Sequence, residues 1–238
     1  MSELIQSAKE NGLFLLTCLA IAVGLIVLAA MAQKLLCRGR RSMPAARRVA
    51  FVAMLAAVAA VLMLFEIPLF FAPSFYKMDF SEIPVLLCSF YLGPVAGVVC
   101  ELVKVLLKLL LKGTTTAFVG DFANFVVGCT LILPASVLYH AHRTRGYAIA
   151  GMALGTVCMT VFGSAFNAVY LLPRFAVMYG ISLDAIVAMG QQVNASITSV
   201  SRLVLFAVVP FNILKGVITS LVTFLLYKRL GRLFFHEG

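Results

Sequence analysis

Charged residues are scarce in this sequence, and their scarcity limits the class of protein. Asp, Glu, Lys and Arg together make up 12% of the 238 residues. A soluble domain of this length needs roughly a quarter of its residues charged to cover its surface. Most of the surface must therefore face lipid, which excludes an ordinary soluble globular domain.

Cysteine pairs and catalytic motifs are also missing. The six cysteines are scattered without a C-x-x-C pair, so the sequence supports neither a zinc site nor a disulfide framework. It contains no H-E-x-x-H, G-x-S-x-G or P-loop motif, and its three histidines lie in one turn and at the C-terminus. We therefore expect neither hydrolysis nor ATP binding, and predict a protein that is not an enzyme and holds no metal or cofactor.

Apolar residues and positive charge are present in excess. Hydrophobic residues account for 63% of the chain, and the formal net charge is +10. In so apolar a chain, an excess of Lys and Arg favours a loop-charge bias that orients a membrane protein over a surface for nucleic acid. We therefore predict no nucleic-acid partner.

Apolar runs near the ~20 residues needed for a membrane crossing predict seven helices. The first covers 13–32; a signal peptide is a weaker alternative because acidic residues precede the run. The other six are 49–65, two within 83–111 separated by Leu92-Gly93-Pro94, 122–139, 146–173 and 203–227. The sequence thus predicts an all-α polytopic membrane protein. Residues 1–48 would form an N-terminal transmembrane helix and a basic cytoplasmic linker, and residues 49–238 a six-helix membrane domain.

The positions of the positive charges predict the orientation. Eleven basic side chains lie on one side of these crossings: Lys34, Arg38, Arg40, Arg41, Arg47, Arg48, Arg143, Arg145, Lys228, Arg229 and Arg232. Because cytoplasmic loops are enriched in Lys and Arg, this side is predicted to be the cytoplasm. The N-terminus would then lie outside and the C-terminus inside the cell membrane.

Polar residues within the apolar runs are candidate functional residues, because burying them in lipid is costly. Asn212 and Lys215 are three residues apart on one helical face, after Pro210, which can kink the helix. Lys215 is far from both ends of its run and has no carboxylate near it in sequence. These features favour ligand contact, with helix–helix packing as the alternative. Asn167 is as compatible with packing as with binding.

Further polar residues lie within the predicted helices and at their outer starts. Glu101 and Lys104 form an i,i+3 pair that can neutralise itself, so an internal ion pair is at least as well supported as a ligand role. Asp121 opens the next helix with Asn124 and is predicted to cap it. The outer segment 66–81 is rich in aromatic residues and ends with Asp79 and Ser81, two candidate caps. A second outer segment, 175–201, is predicted to contain a short interfacial helix.

Small residues in the run 49–65 indicate a close helix contact. Ala53 and Ala57 are four residues apart, as are Ala56 and Ala60, which predicts a flat strip of alanines. Spacing alone favours packing within the chain, and the surface for a partner subunit is the alternative.

Several motifs, taken in order, resemble the energy-coupling factor (ECF) S components specific for riboflavin. They are Met78-Asp79-Phe80-Ser81-Glu82-Ile83-Pro84, Leu92-Gly93-Pro94, Glu101-Leu102-Val103-Lys104, Gly113-Thr114-Thr115-Thr116, Gly120-Asp121-Phe122-Ala123-Asn124-Phe125, Asn167 with Leu172-Pro173, and Val209-Pro210-Phe211-Asn212-Ile213-Leu214-Lys215-Gly216. The likeness runs from about residue 49 to 232. Residues 1–48 depart from the usual six-helix pattern.

The resemblance implies a substrate-binding subunit of a vitamin importer. It implies that riboflavin or FMN is bound near the outer face under extracellular loops. It also implies an EcfT-type transmembrane subunit docked on the alanine strip (Ala53, Ala56, Ala57 and Ala60) and two ABC-type ATPase subunits. Candidate ligand-binding residues from these motifs are Asp79, Phe80, Glu101, Lys104, Asn124, Asn167, Asn212 and Lys215.

Three alternatives to riboflavin capture remain. The chain could be an S component for a different small vitamin. It could be a membrane-embedded enzyme acting on a lipid or prenyl substrate, although it lacks a carboxylate-rich metal motif and a His/Ser pair. It could be a structural assembly subunit, which would have no need for Asn212 and Lys215 at mid-helix.

Overall fold

The computed structural model describes residues 12–36, 44–73, 75–114 and 116–235, and these are almost entirely helical. Part of the predicted basic linker, including Arg38, Arg40 and Arg41, lies outside the described residues, as do Thr115 and His236.

The described helices follow the predicted apolar runs closely. They are α1 (Gly12–Leu36), α2 (Ala45–Leu64), α3 (Glu82–Leu92), α4 (Pro94–Lys112), α5 (Val119–Ala141), α6 (Arg145–Phe166), α7 (Leu172–Tyr179), α8 (Leu183–Val193), α9 (Val200–Leu203) and α10 (Val209–Phe235). Two π-helical segments, Asn167–Leu171 and Val204–Val208, join α6 to α7 and α9 to α10 without a break. A short antiparallel ribbon pairs β1 (Ile67–Pro68) with β2 (Lys77–Met78). The short helix predicted within 175–201 is present as α8, and its position at the membrane interface stays a prediction.

Five helical spans among the described residues are long and apolar enough to cross a membrane. They are Gly12–Leu36, Ala45–Leu64, Val119–Ala141, Arg145–Tyr179 and Val200–Leu230. The predicted fold class, an all-α multi-pass membrane protein, is therefore confirmed. Helix α3 has only 11 residues, and α4 carries four charged side chains in 19 residues. The count of six core crossings plus one thus stays a prediction.

Close backbone contact between α5 and α6 forms the centre of the bundle. A Cβ atom placed on Gly155 would lie 2.3 Å from the carbonyl oxygen of Leu131, so only glycine fits there. Small residues of this kind let membrane helices pack by direct backbone approach. Helix α10 packs along α6 on the other side, and α4 lies between α2, α3 and α5.

The turn between α3 and α4 depends on Gly93. Its φ of 101° lies in the region that residues with a Cβ rarely adopt. The turn allows α3 to end and α4 to begin at Pro94, which suits the first turn of a helix because its missing N–H needs no partner there. This hairpin brings the charged residues of α4 beside the start of α3.

The alanines of α2 do not form one continuous surface strip. Ala56 and Ala60 are 0% and 1% exposed and pack inside the chain, whereas Ala53 and Ala57 are exposed. The partner surface stays a prediction: Ala53 and Ala57 are available to it, whereas neighbouring residues of the chain cover Ala56 and Ala60. The reason is the helical period: these two share the inward face with Ala59, while the other two lie at its edge.

Candidate functional site

A cavity of about 620 Å³ lies at one end of the bundle, beneath the ribbon and helices α7 and α8. This volume is within the range of pockets that hold small organic ligands, about 300–1,000 Å³. Its lining residues come from the end of α2, from the ends of α4 and α5, from both outer segments and from the start of α7: Met63, Glu66, Phe75, Lys77, Asp79, Lys108, Lys112, Thr116, Gly120, Asp121, Asn124, Leu172, Phe175, Tyr179, Ile181, Ile186 and Met189.

A second cavity of about 180 Å³ adjoins the first. Both are lined by Phe75, Lys77, Gly120, Asn124 and Phe175, so they share walls. The smaller cavity is also bordered by Glu82, Asn167, Asn212 and Lys215. Together the two cavities form one site with an apolar aromatic wall and a polar floor.

Lys215 at the floor is paired with a carboxylate. Its Nζ lies 3.1 Å from Oδ2 of Asp79 and 3.8 Å from Oε1 of Glu82. Asp79 is 136 residues away in sequence, so the absence of a nearby carboxylate in the sequence did not mean an unpaired lysine. The structure therefore places Asp79 and Lys215 together, as a nearly buried ion pair beside the cavity.

Asp79 is held in its ionised form by its neighbours. Burial disfavours the carboxylate, but the positive charges of Lys215 and Lys104 and the hydrogen bonds from Ser81 offset that effect. The pKa of Asp79 is consequently lowered from its usual value. Its Oδ1 accepts hydrogen bonds from the backbone N–H and the hydroxyl of Ser81, which fixes the approach to α3.

Lys104 connects the remaining charges behind the floor. Its Nζ donates to Oε1 of Glu82 at 3.0 Å and to Oδ1 of Asn124 at 3.1 Å, and lies 2.6 Å from Oε1 of Glu101. Both Glu101 and Lys104 are fully buried. Gly128 leaves the room for this cluster, since a Cβ there would lie 2.4 Å from Oε1 of Glu101. Removing one member of such a buried network leaves an uncompensated charge, which is strongly destabilising.

Three of the predicted ligand-binding residues do not line either cavity. Glu101 and Lys104 lie behind the floor, where their charged groups bind each other and Glu82. Phe80 packs into the main apolar core. Direct ligand contact by these three residues stays a prediction, and in this structure the ion pairs and the apolar core occupy their side chains.

Asn212 has an unused hydrogen-bond donor at the edge of the smaller cavity. Its side chain is only 4% exposed, and its Nδ2 has no hydrogen-bond partner within the described part of the chain. A buried donor of this kind costs free energy unless something pairs with it. Asn212 lies near the start of α10, two residues after Pro210 and shortly after the π-helical segment Val204–Val208.

Asn167 is already satisfied by the protein. Its Oδ1 accepts from the hydroxyl of Tyr76 at 2.9 Å, and its Nδ2 donates to the carbonyl of Gly163 at 2.8 Å. Burial raises the pKa of the Tyr76 phenol, which keeps it neutral as a donor. Asn167 thus ties the outer segment to α6 while bordering the smaller cavity.

Ion pairs beside the larger cavity join the outer segment 66–81 to α4, and α4 to α5. Glu66 binds Lys77 of the ribbon at 2.9 Å and Lys112 of α4 at 3.0 Å. Partial burial of Glu66 opposes ionisation, but the two lysines outweigh it and lower the pKa of its carboxyl.

Asp121 accepts hydrogen bonds from Lys108 and from Thr114, and does not cap α5. The predicted cap is therefore wrong: the left-handed backbone at Phe118 starts that helix, and Asp121 balances a buried lysine.

Several lining residues were absent from the sequence-based candidates. Glu82 was the most detectable, because it is an acidic residue at the start of an apolar helix. Lys108 also gave a signal, four residues after Lys104 on one helical face. Phe75 and Phe175 belong to aromatic outer segments whose folding back over the bundle has no local sequence signal.

Known proteins are similar to this chain over most of its length. The family described as "ECF transporter, substrate-specific component" matches residues 47–227. A protein named riboflavin transporter RibU from Staphylococcus aureus (strain TCH60) is 36% identical over 195 residues, which cover 81% of this chain and 96% of that protein. Riboflavin transporter FmnP from Bacillus subtilis (strain 168) is 30% identical, with coverage of 77% and 92%.

A solved structure shares the fold. It is described as the structure and mechanism of the S component of a bacterial ECF transporter, and it superposes with a TM-score of 0.63 at 34% identity. The alignment covers 80% of this chain and 98% of that one. Helix α1 precedes the residues that the family matches. On these grounds, the chain belongs to the family of substrate-specific components of ECF transporters.

Proposed function

We propose that this chain captures riboflavin for import as the substrate-binding subunit of an ECF transporter. The relatives from S. aureus and B. subtilis are both named riboflavin transporters. The observation that carries the proposal is the unpaired, buried amide nitrogen of Asn212 beside Lys215, at the floor of a cavity large enough for a vitamin.

The chemistry of a flavin fits this floor and wall. A flavin has a flat aromatic plane, an edge of carbonyls and an N–H, and a chain of hydroxyls. The Asn212 amide can donate to a carbonyl and accept from an N–H, and Lys215 can donate to an oxygen while it stays paired with Asp79. Phe75 and Phe175 supply the apolar wall that ligand pockets use to hold a ring.

The proposed binding residues divide into two groups by position. Asp79, Asn124, Asn167, Asn212 and Lys215 border the cavities and would face the ligand. Glu101, Lys104 and Phe80 would act indirectly, by holding Glu82, Asn124 and α3 in place. Neither group includes a metal or cofactor ligand; riboflavin or FMN is the cargo.

The proposed orientation puts the cavity outside the cell. The basic residues Lys34, Arg47, Arg143 and Lys228 lie at the end of the bundle opposite to the cavity, which favours a cytoplasmic position for that end. The N-terminus would then be outside and the C-terminus cytoplasmic. The vitamin would enter from the medium beneath the ribbon and α8.

The proposed partners are an EcfT-type transmembrane subunit and two ABC-type ATPases. This chain has no P-loop motif, so the energy for uptake would come from the partners. The exposed face of α2 around Ala53 and Ala57 is the proposed docking surface for the transmembrane subunit. Its small side chains allow close helix approach.

Vesicles that contain only this chain test the proposal. We expect saturable riboflavin binding, followed by quenching of flavin fluorescence, and no ATP-dependent accumulation. Parallel titrations with FMN and with an unrelated vitamin distinguish the flavins from another cargo. Failure to bind either flavin would contradict the proposed cargo, and concentrative uptake without partners would contradict the role as a binding subunit.

A further inference from the structure

Helix α1 lies outside the residues shared with the family, yet it packs along the bundle. Ala22 and Ala29, seven residues apart, are 5% and 0% exposed and let α1 approach α4 and α5 closely. The contact buries an apolar cluster that includes Val98 of α4 and Phe125 and Cys129 of α5. The α1 helix is therefore an integral part of the folded domain, not a separate anchor.

The inner end of α1 is fixed by a hydrogen bond. Oε1 of Gln33 accepts the backbone N–H of Val95 at 3.3 Å. That N–H lies in the first turn of α4, where backbone donors have no partner within the helix. Gln33 thus serves as a cap for α4 provided by another helix.

The outer end of α1 is fixed by an aromatic residue behind the cavity wall. Phe14 makes an edge-to-face contact with Phe122 of α5, with ring centroids 5.8 Å apart. It also packs against a buried cluster that contains Ala123 and Leu171. Both of these residues line the smaller cavity, so only one layer of side chains separates Phe14 from the site.

We propose that α1 supports the lateral wall of the ligand cavity from behind, with Phe14 as a positioning residue that holds in place the layer of side chains facing the ligand. The inference rests on the proposed function for the identity of the ligand, but not for the wall itself. Without the Phe14 ring, the layer formed by Ala123 and Leu171 would face lipid tails between α5 and the π-helical segment after α6. The ligand-facing surface would relax outwards and hold a bound ring less tightly.

Three alanine substitutions separate this role from general stabilisation. Phe14→Ala removes the ring that supports the cavity wall. Leu16→Ala is the control, because the Leu16 side chain is 64% exposed and points away from the bundle. Gln33→Ala loosens α1 at its other end, far from the cavity. We expect Phe14→Ala to weaken riboflavin binding about threefold to tenfold, or roughly 0.7–1.4 kcal/mol at 1.4 kcal/mol per decade. Leu16→Ala should leave both affinity and melting temperature unchanged, and Gln33→Ala should lower the melting temperature with unchanged affinity.

A second readout does not need the ligand. The chain has no tryptophan, so Phe175→Trp places a single tryptophan on the cavity wall, which can be excited selectively over the tyrosines. In bilayers with brominated lipid tails, which quench tryptophan on contact, the reporter should be quenched more strongly when combined with Phe14→Ala than with Leu16→Ala. Equal quenching in the two backgrounds, or equal riboflavin affinity of Phe14→Ala and Leu16→Ala, would overturn the proposal that α1 supports the cavity wall. If the unsubstituted protein did not bind riboflavin, the proposed cargo would be contradicted instead. The quenching comparison would still test whether α1 supports the cavity wall.

Discussion

Replacement of Asn212 by alanine should separate ligand affinity from the stability of the empty protein. The Asn212 Nδ2 is buried without a partner in the described residues, so its removal breaks no hydrogen bond of that atom within the protein. The substitution should therefore change the melting temperature of the empty protein little. The same nitrogen is the donor proposed to meet the flavin edge, so binding should suffer.

The magnitude follows from the cost of one buried hydrogen bond. Losing a partner in a buried site costs about 1–3 kcal/mol, and 1.4 kcal/mol corresponds to a factor of ten in affinity. Asn212→Ala should therefore weaken riboflavin binding roughly tenfold to a hundredfold.

Asn167→Ala provides the matched comparison. Both asparagines border the smaller cavity and both are nearly buried. Asn167, however, bonds to Tyr76 and to the carbonyl of Gly163. Its replacement leaves the buried Tyr76 hydroxyl without that acceptor, and should lower the melting temperature of the empty protein clearly.

Titration of flavin fluorescence and thermal unfolding in the same detergent decide between the two behaviours. Support for the reasoning would be a large loss of affinity with little loss of stability for Asn212→Ala, and a large loss of stability for Asn167→Ala. Unchanged affinity of a normally expressed Asn212→Ala protein would refute the ligand role and return Asn212 to helix packing.

Two further predictions concern α2 and the buried ion pair. Because Ala57 is exposed, Ala57→Trp should reduce uptake and assembly with the partner subunits and leave the riboflavin affinity unchanged. Because Ala60 is buried, Ala60→Trp should instead lower the melting temperature. Pull-down of the partners and thermal unfolding distinguish the two, and an intact assembly with Ala57→Trp would contradict the docking surface. Lys215→Met should destabilise the protein by about 3–5 kcal/mol by leaving Asp79 uncompensated, and adding Asp79→Asn should recover part of that loss. A double-mutant cycle on unfolding free energies measures the coupling, and additive effects of the two substitutions would contradict a direct ion pair.

Much of the fold could be predicted from composition alone. In lipid every backbone polar group must be satisfied within its helix, so a long apolar run has few alternatives to a transmembrane helix. The runs 122–139 and 203–227 therefore correspond to parts of α5 and of the span Val200–Leu230. Gly93 and Pro94 marked the turn between α3 and α4 because their backbone preferences are strong and local.

The site was less predictable, because its contacts join distant parts of the chain. Polar residues in apolar runs correctly drew attention to Asn212 and Lys215, since burial makes such residues expensive. The sequence could not reveal that Asp79 would meet Lys215 across 136 residues. Nor could it separate Ala53 and Ala57 from the inward face of α2, because the direction of the core is set by neighbouring helices.

The charges of α4 have a consequence for the biogenesis of the protein. Inserting a helix with a charge at the bilayer centre costs about 2.5–3.5 kcal/mol per charged residue on scales measured for insertion. Glu101 and Lys104 enter as a pair on one helix, but Glu82 precedes them on α3 and the Asp121 that binds Lys108 follows on α5. Asp79 is made well before its partner Lys215, which lies in α10. These charges can therefore pair only when α3, α4 and α5 are present together, and the network is complete only after α10 has been made.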